Sequence, residues 1–168
     1  VLKYLLPATP RYLEEEKSDK KIIQFIKLAL KNSDSRVSKD LPLTPAFLFS
    51  VLLWPSVIKR IGEIQSSKIK IPLLRKAADK AIREQNSHCF IPKRVESMIK
   101  DIWEFQIRLL KVKSPKITSL ISHKRFRASY DFLILREQSG VNLNGCGKWW
   151  TDVQNKSEHR RKDLSKRQ

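Results

Sequence analysis

Residues 91–111, Ile91 to Lys111, read IPKRVESMIKDIWEFQIRLLK. Pro92 stands where a helix would begin, and its fixed φ suits the first helical position. Val95, Met98, Ile99, Ile102, Trp103, Gln106, Leu109 and Leu110 then fall on one side of a 3.6-residue period. Lys93, Lys100, Glu104, Arg108 and Lys111 fall on the other. The pattern predicts one long amphipathic helix with an apolar face to bury and a mostly basic face to show.

The rest of the chain supplies partners for that apolar face. Thr44-Pro45 is a helix start with Thr44 as N-cap, and the run from Phe47 to Trp54 is apolar nearly all round. Such a helix belongs in the middle of a bundle. Pro55 lacks an N–H and is expected to end or kink it. Upstream, Ser18 or Asp19 caps a helix carrying Ile22, Phe25, Ile26 and Ala29. It is expected to end at the polar group Asn32–Ser35, with Arg36 in a loop. After the polar connection Gln65–Lys70, Pro72 opens a helix with Leu74, Ala77, Ala78, Ala81 and Ile82 on one side. Ser114-Pro115 repeats the cap-plus-proline start, and a further helix is expected over Lys124–Glu137, closed by Gly140. Asn142–Gly147 is read as a flexible loop, followed by a short helix docking Trp149 and Trp150. From Asn155 the chain is polar and basic and is expected to be a disordered tail. No internal repeat and no strand-like alternation is found. The fold class is therefore an all-α helical bundle with a basic C-terminal tail.

The chain has 168 residues and 40% hydrophobic content, enough for a real core in one domain. Lys and Arg number 35 against 17 Asp and Glu, a formal net charge of +18. An excess of that size repels itself on compaction and calls for an anionic counterpart: RNA, DNA or an anionic membrane. No run of 18 apolar residues exists, so no helix is expected to span a bilayer. Cys89 and Cys146 are the two cysteines, expected as free thiols in a reducing cytoplasm. The sequence starts at Val1 rather than at methionine, which suggests a portion of something longer.

Catalytic signatures are missing. Two-metal nucleotidyl transfer needs paired carboxylates, and no Asp-x-Asp pair is present. Glu14 and Glu16 are two apart but lack a Gly-Ser segment to cradle a triphosphate. His88, His123 and His159 are far apart, so no metal site is expected. There is no P-loop, no Gly-x-Ser-x-Gly and no Rossmann glycine pattern. No catalytic residue is assigned.

Several ordered segments carry a resemblance. Thr44-Pro45-Ala46-Phe47-Leu48-Phe49 followed by Trp54-Pro55, then Ile91-Pro92-Lys93-Arg94 continuing to Asp101-Ile102-Trp103 and Gln106, resemble the body of bacterial poly(A) polymerase I enzymes. These belong to the tRNA nucleotidyltransferase/poly(A) polymerase family. His123 to Leu133 resembles that family's next motif, and Lys148-Trp149-Trp150 its aromatic motif near the end. The resemblance implies an end of the neck over residues 1–16, a helical RNA-binding body over 17–154 and a basic tail over 155–168. It also implies that ATP and Mg2+ are bound by a catalytic head outside this chain, which itself would need no cofactor and would be inactive alone. The module would hold RNA 3′ ends with little regard to sequence, using lysine and arginine on phosphates. Candidate contacts are Lys93, Arg94, Lys100, Arg108 and Lys111 on the central helix, then Lys124, Arg125 and Arg127, then Lys148. The same module of a CCA-adding enzyme is the alternative within the family. A non-enzymatic basic scaffold is the alternative outside it. A membrane-surface role fits poorly, because a helix with Trp103 on its apolar face is suited to a bundle core. No feature of the sequence sets an oligomeric state.

Overall fold

The computed structural model describes Thr9 and residues 19–62, 70–111 and 116–165, with side chains to Lys156. The expected neck remnant apart from Thr9, the acidic cluster Glu14–Glu16 and the Ser114-Pro115 cap lie outside the described residues. Those described residues form seven helices and no strand: α1 Lys20–Val37, α2 Pro45–Ile61, α3 Ile71–Asn86, α4 Lys93–Leu110, α5 Ile117–Ile121, α6 Phe126–Gln138 and α7 Cys146–Ser165. The all-α bundle read from the sequence is what the chain forms.

α4 is the axis. Its Ile99, Ile102, Trp103 and Ile107 join the larger core with α1, α2, α3 and α6. Phe105 and Leu109 join a second core with Phe126, Leu133, Leu143 and Trp150. Between two cores, a helix must bury more than one stripe. Phe105 is therefore buried beyond the face that periodicity picked out, while Ile107 widens the stripe on the larger core and Glu96 is buried against Asn86. Two indole N–H groups anchor the cores by donating to main-chain carbonyls. Trp103 Nε1 donates to Ser50 O at 3.0 Å, and Trp150 Nε1 to Leu109 O at 3.2 Å. Both rings are fully buried, so these bonds spare each indole an unpaired donor.

Four local expectations change on inspection. α1 continues through Asn32–Ser35, where Ser33 Oγ turns back and donates to Ala29 O at 2.8 Å inside the helix. Arg36 thus lies in the last turn of α1 and not in a loop. α2 does not end at Pro55 but runs through it to Ile61. One main-chain bond is lost at Pro55, and the burial of every residue from Ser50 to Val57 holds the helix together across it. α7 begins at Cys146, inside the segment read as a loop, and its backbone runs to Ser165, past Asn155 where a disordered tail was expected. After Gly147 that stretch contains no Gly or Pro, and its Lys and Arg residues favour helix.

Two glycines matter. Gly140, with φ +95°, closes α6: Val141 N donates to Arg136 O and Gly140 N to Glu137 O. Gly147 lies where α7 crosses α6, and a Cβ there would sit 2.9 Å from Ile134 Cδ1.

Phe132 of α6 brings the N-terminal helices in. Its ring is fully buried, 4.9 Å from Phe25 of α1, 6.4 Å from Phe47 and 5.2 Å from Trp54 of α2. This aromatic cluster sets the end of α1 and the start of α2 beside the first turns of α6. The groove described next lies there.

Candidate nucleic-acid interface

Packing around Phe132 leaves an open groove of about 870 Å³ between the end of α1, the α1–α2 connection, α4 and α6. Its lining includes Arg36, Lys124, Arg125, Arg127, Tyr130 and Asp131. Four cations thus face one carboxylate, and the volume is in the range of small-ligand sites.

Each charged group is held by its own surroundings. Arg36 donates from Nε and Nη2 to Pro42 O, at 3.2 and 2.9 Å. Its partner is a carbonyl dipole, so the charge remains available to an anion while the guanidinium is fixed. Arg125 is mostly buried, with Nε 3.5 Å from Asp101. Arg127 is exposed, pairs with Asp131 at 3.2 Å and lies 5.7 Å from the Tyr130 ring centre. Lys124 is exposed with no ion pair among the described residues. Burial pushes the Asp131 carboxyl up from its ordinary pKa, and Arg127 and Arg36 pull it partly back.

Of the candidates named from sequence, Lys124, Arg125 and Arg127 come together in this groove. The others do not line it. Lys93 pairs with Glu96 at 3.0 Å while its side chain stays 84% exposed, and Arg94 beside it is exposed. Lys100 is held by Asp79 of α3 at 2.6 Å. Arg108 pairs with Glu104 at 3.2 Å and lies 5.6 Å from the Phe105 ring centre, while Arg75 of α3 reaches the same Glu104. Lys100 and Glu104 thus help to seal the α3–α4 seam. Lys111 is exposed at the end of α4, and Lys148 is exposed in the first turn of α7.

Arg36 is the groove residue that sequence reasoning missed. Its place in the last turn of α1 is ordinary for a basic residue near a helix C-terminus. Nothing in the one-dimensional pattern brings position 36 to positions 124–131. That proximity is set by Phe25, Phe47 and Trp54 meeting Phe132. Among the described residues no three His, Cys, Asp or Glu side chains gather as a metal site, and no helix is long and apolar enough to cross a membrane.

These features define an all-helical, strongly cationic module with an open groove lined by guanidinium groups. The family model described as the arginine-rich C-terminus of polymerase A matches residues 67–168, more than half of the chain, and the chain belongs to that family. Poly(A) polymerase I of Escherichia coli O6:H1 is 31% identical over 154 residues, covering 89% of this chain and 33% of that protein. Poly(A) polymerase I of Haemophilus influenzae is 29% identical over 171 residues, covering 98% of this chain and 37% of that protein. That of Salmonella typhi is 29% identical over 154 residues, with 89% and 33% covered. The chain thus spans about a third of the length of the curated relatives it matches.

Proposed function

We propose that this module holds RNA for 3′ adenylate addition by a poly(A) polymerase. The nucleotidyl transfer itself would fall to a separate catalytic domain that binds ATP and Mg2+. The observation that carries the reading is the groove. Family membership supplies the polyadenylation context, and the groove supplies a place where Arg36, Lys124, Arg125 and Arg127 meet a phosphate backbone. Phosphate contacts of this kind give affinity without base preference, which suits a module acting on many RNA ends. The exposed cations Lys93, Arg94, Lys111 and Lys148 extend the positive field beyond the groove.

The test is binding of the full chain to two RNA oligonucleotides of unrelated sequence, measured by fluorescence anisotropy, beside flotation with anionic liposomes. Comparable affinity for both RNAs, without stable liposome association, supports the reading. Liposome binding without RNA binding rejects it.

A further inference from the structure

Phe90 is the most exposed large apolar side chain among the described residues, at 69%. Its neighbours hold it there. Ile91 is fully buried, and its N–H donates to Asn86 Oδ1 at 2.7 Å. His88 N and Cys89 N both donate to Gln85 O, at 3.0 and 2.9 Å. Asn86 Nδ2 in turn donates to Glu96 Oε1 at 2.8 Å. The α3–α4 connection is thus tied at both ends, and an aromatic ring is held outward between fixed points.

Cations follow the ring closely in sequence. Lys93 and Arg94 open α4 just beyond it, both exposed, and Arg94 has no ion pair among the described residues. The acids that flank it in sequence are already engaged, Glu96 with Lys93 and Glu84 with Arg60. A solvent-facing ring beside exposed cations matches the composition of a single-stranded nucleic-acid contact, where a base stacks and its phosphate meets the charge.

We propose that Phe90 is a stacking platform for one unpaired nucleobase of RNA, with Arg94 meeting an adjacent phosphate. This contact is separate from the groove and rests on the RNA-holding reading. A flipped-out base covers the ring face that water now covers, and the stack tolerates any base because every base has a π face.

The experiment uses the full chain and an oligoadenylate carrying one 2-aminopurine, whose fluorescence falls on stacking. F90A should bind roughly 5- to 100-fold more weakly, by the usual worth of one base–aromatic stack. Part of the 2-aminopurine quenching should vanish, and the salt dependence should stay as in the parent. R94Q should do the reverse, lowering the salt slope by about 0.7 while quenching at saturation persists. Circular dichroism checks that both variants are folded. Parent-like affinity and quenching in folded F90A overturn the stacking site and leave the RNA-holding reading standing. Failure of the parent chain itself to bind the oligonucleotide overturns both.

Discussion

Replacing Gln106 with leucine should show what a buried cation costs this bundle when its partner is removed. Gln106 is fully buried on α4, and its Nε2 donates to Ile102 O at 3.2 Å and to Ser129 O of α6 at 3.1 Å. Its Oε1 accepts from Arg136 Nη1 at 3.2 Å. Arg136 is 3% exposed and has no ion pair among the described residues, and its guanidinium lies 5.4 Å from the Trp54 ring centre. Burial pulls its pKa down to about 10, so it still carries its charge at neutral pH. Loss of a hydrogen bond to a charged group costs about 1.5–3 kcal/mol, and the apolar leucine returns at most about 1 kcal/mol. The net loss for Q106L should be about 0.5–2 kcal/mol. Adding R136M removes the stranded charge, so the double variant should be more stable than Q106L alone, with a coupling of at least about 0.5 kcal/mol. Urea titrations at pH 7, followed by circular dichroism, supply all four corners of the cycle. A Q106L change below about 0.5 kcal/mol, together with strict additivity, would refute the view that Gln106 supports an otherwise unpaired cation.

Glu96 gives a pH-dependent counterpart. Burial alone would raise its pKa, yet the hydrogen bonds from Lys93 and Asn86 and the charge of Lys93 hold it below its ordinary value. A carboxyl depressed in the folded state stabilises at neutral pH and loses that contribution as pH falls through its folded pKa. E96Q should therefore be less stable than the parent at pH 7, by about 1–2 kcal/mol, and the two urea midpoints should converge in acid. Cys146 differs from an ordinary thiol: burial, with Glu137 nearby, pushes its pKa up to about 11. With a thiol-disulfide reagent at pH 8, the folded chain should show one fast and one slow thiol, and C89S should remove the fast phase. In denaturant the two cysteines should react alike.

Sequence periodicity captured the bundle because its helices carry their own signals. Asp19 does cap α1, accepting from Lys21 N at 2.8 Å, and Trp54 and Trp103 are buried as their spacing implied. Where it fell short, the decisive contacts were tertiary. Pro55 would break an isolated helix, but α2 is enclosed on all sides. Phe105 faces away from the main apolar stripe, and only the second core under α7 accounts for its burial. Charge pattern grouped Lys124, Arg125 and Arg127, since they are close in sequence, and the structure sets them along one groove. The pattern could not pair them with Arg36, nor show that Lys100 and Arg108 are tied to Asp79 and Glu104.

On the proposed function, the groove between α1, α4 and α6 holds an RNA backbone. Its most direct test is a salt titration of RNA binding for the parent and for a variant with Arg36, Lys124 and Arg127 all changed to glutamine. Arg125 is left in place because it is mostly buried and beside Asp101. Each single-strand phosphate neutralised contributes about −0.7 to the slope of log K against log salt. The variant should stay folded, bind RNA more weakly at low salt and show a slope flatter by about two units. A folded variant with the parent's affinity and slope would contradict the account.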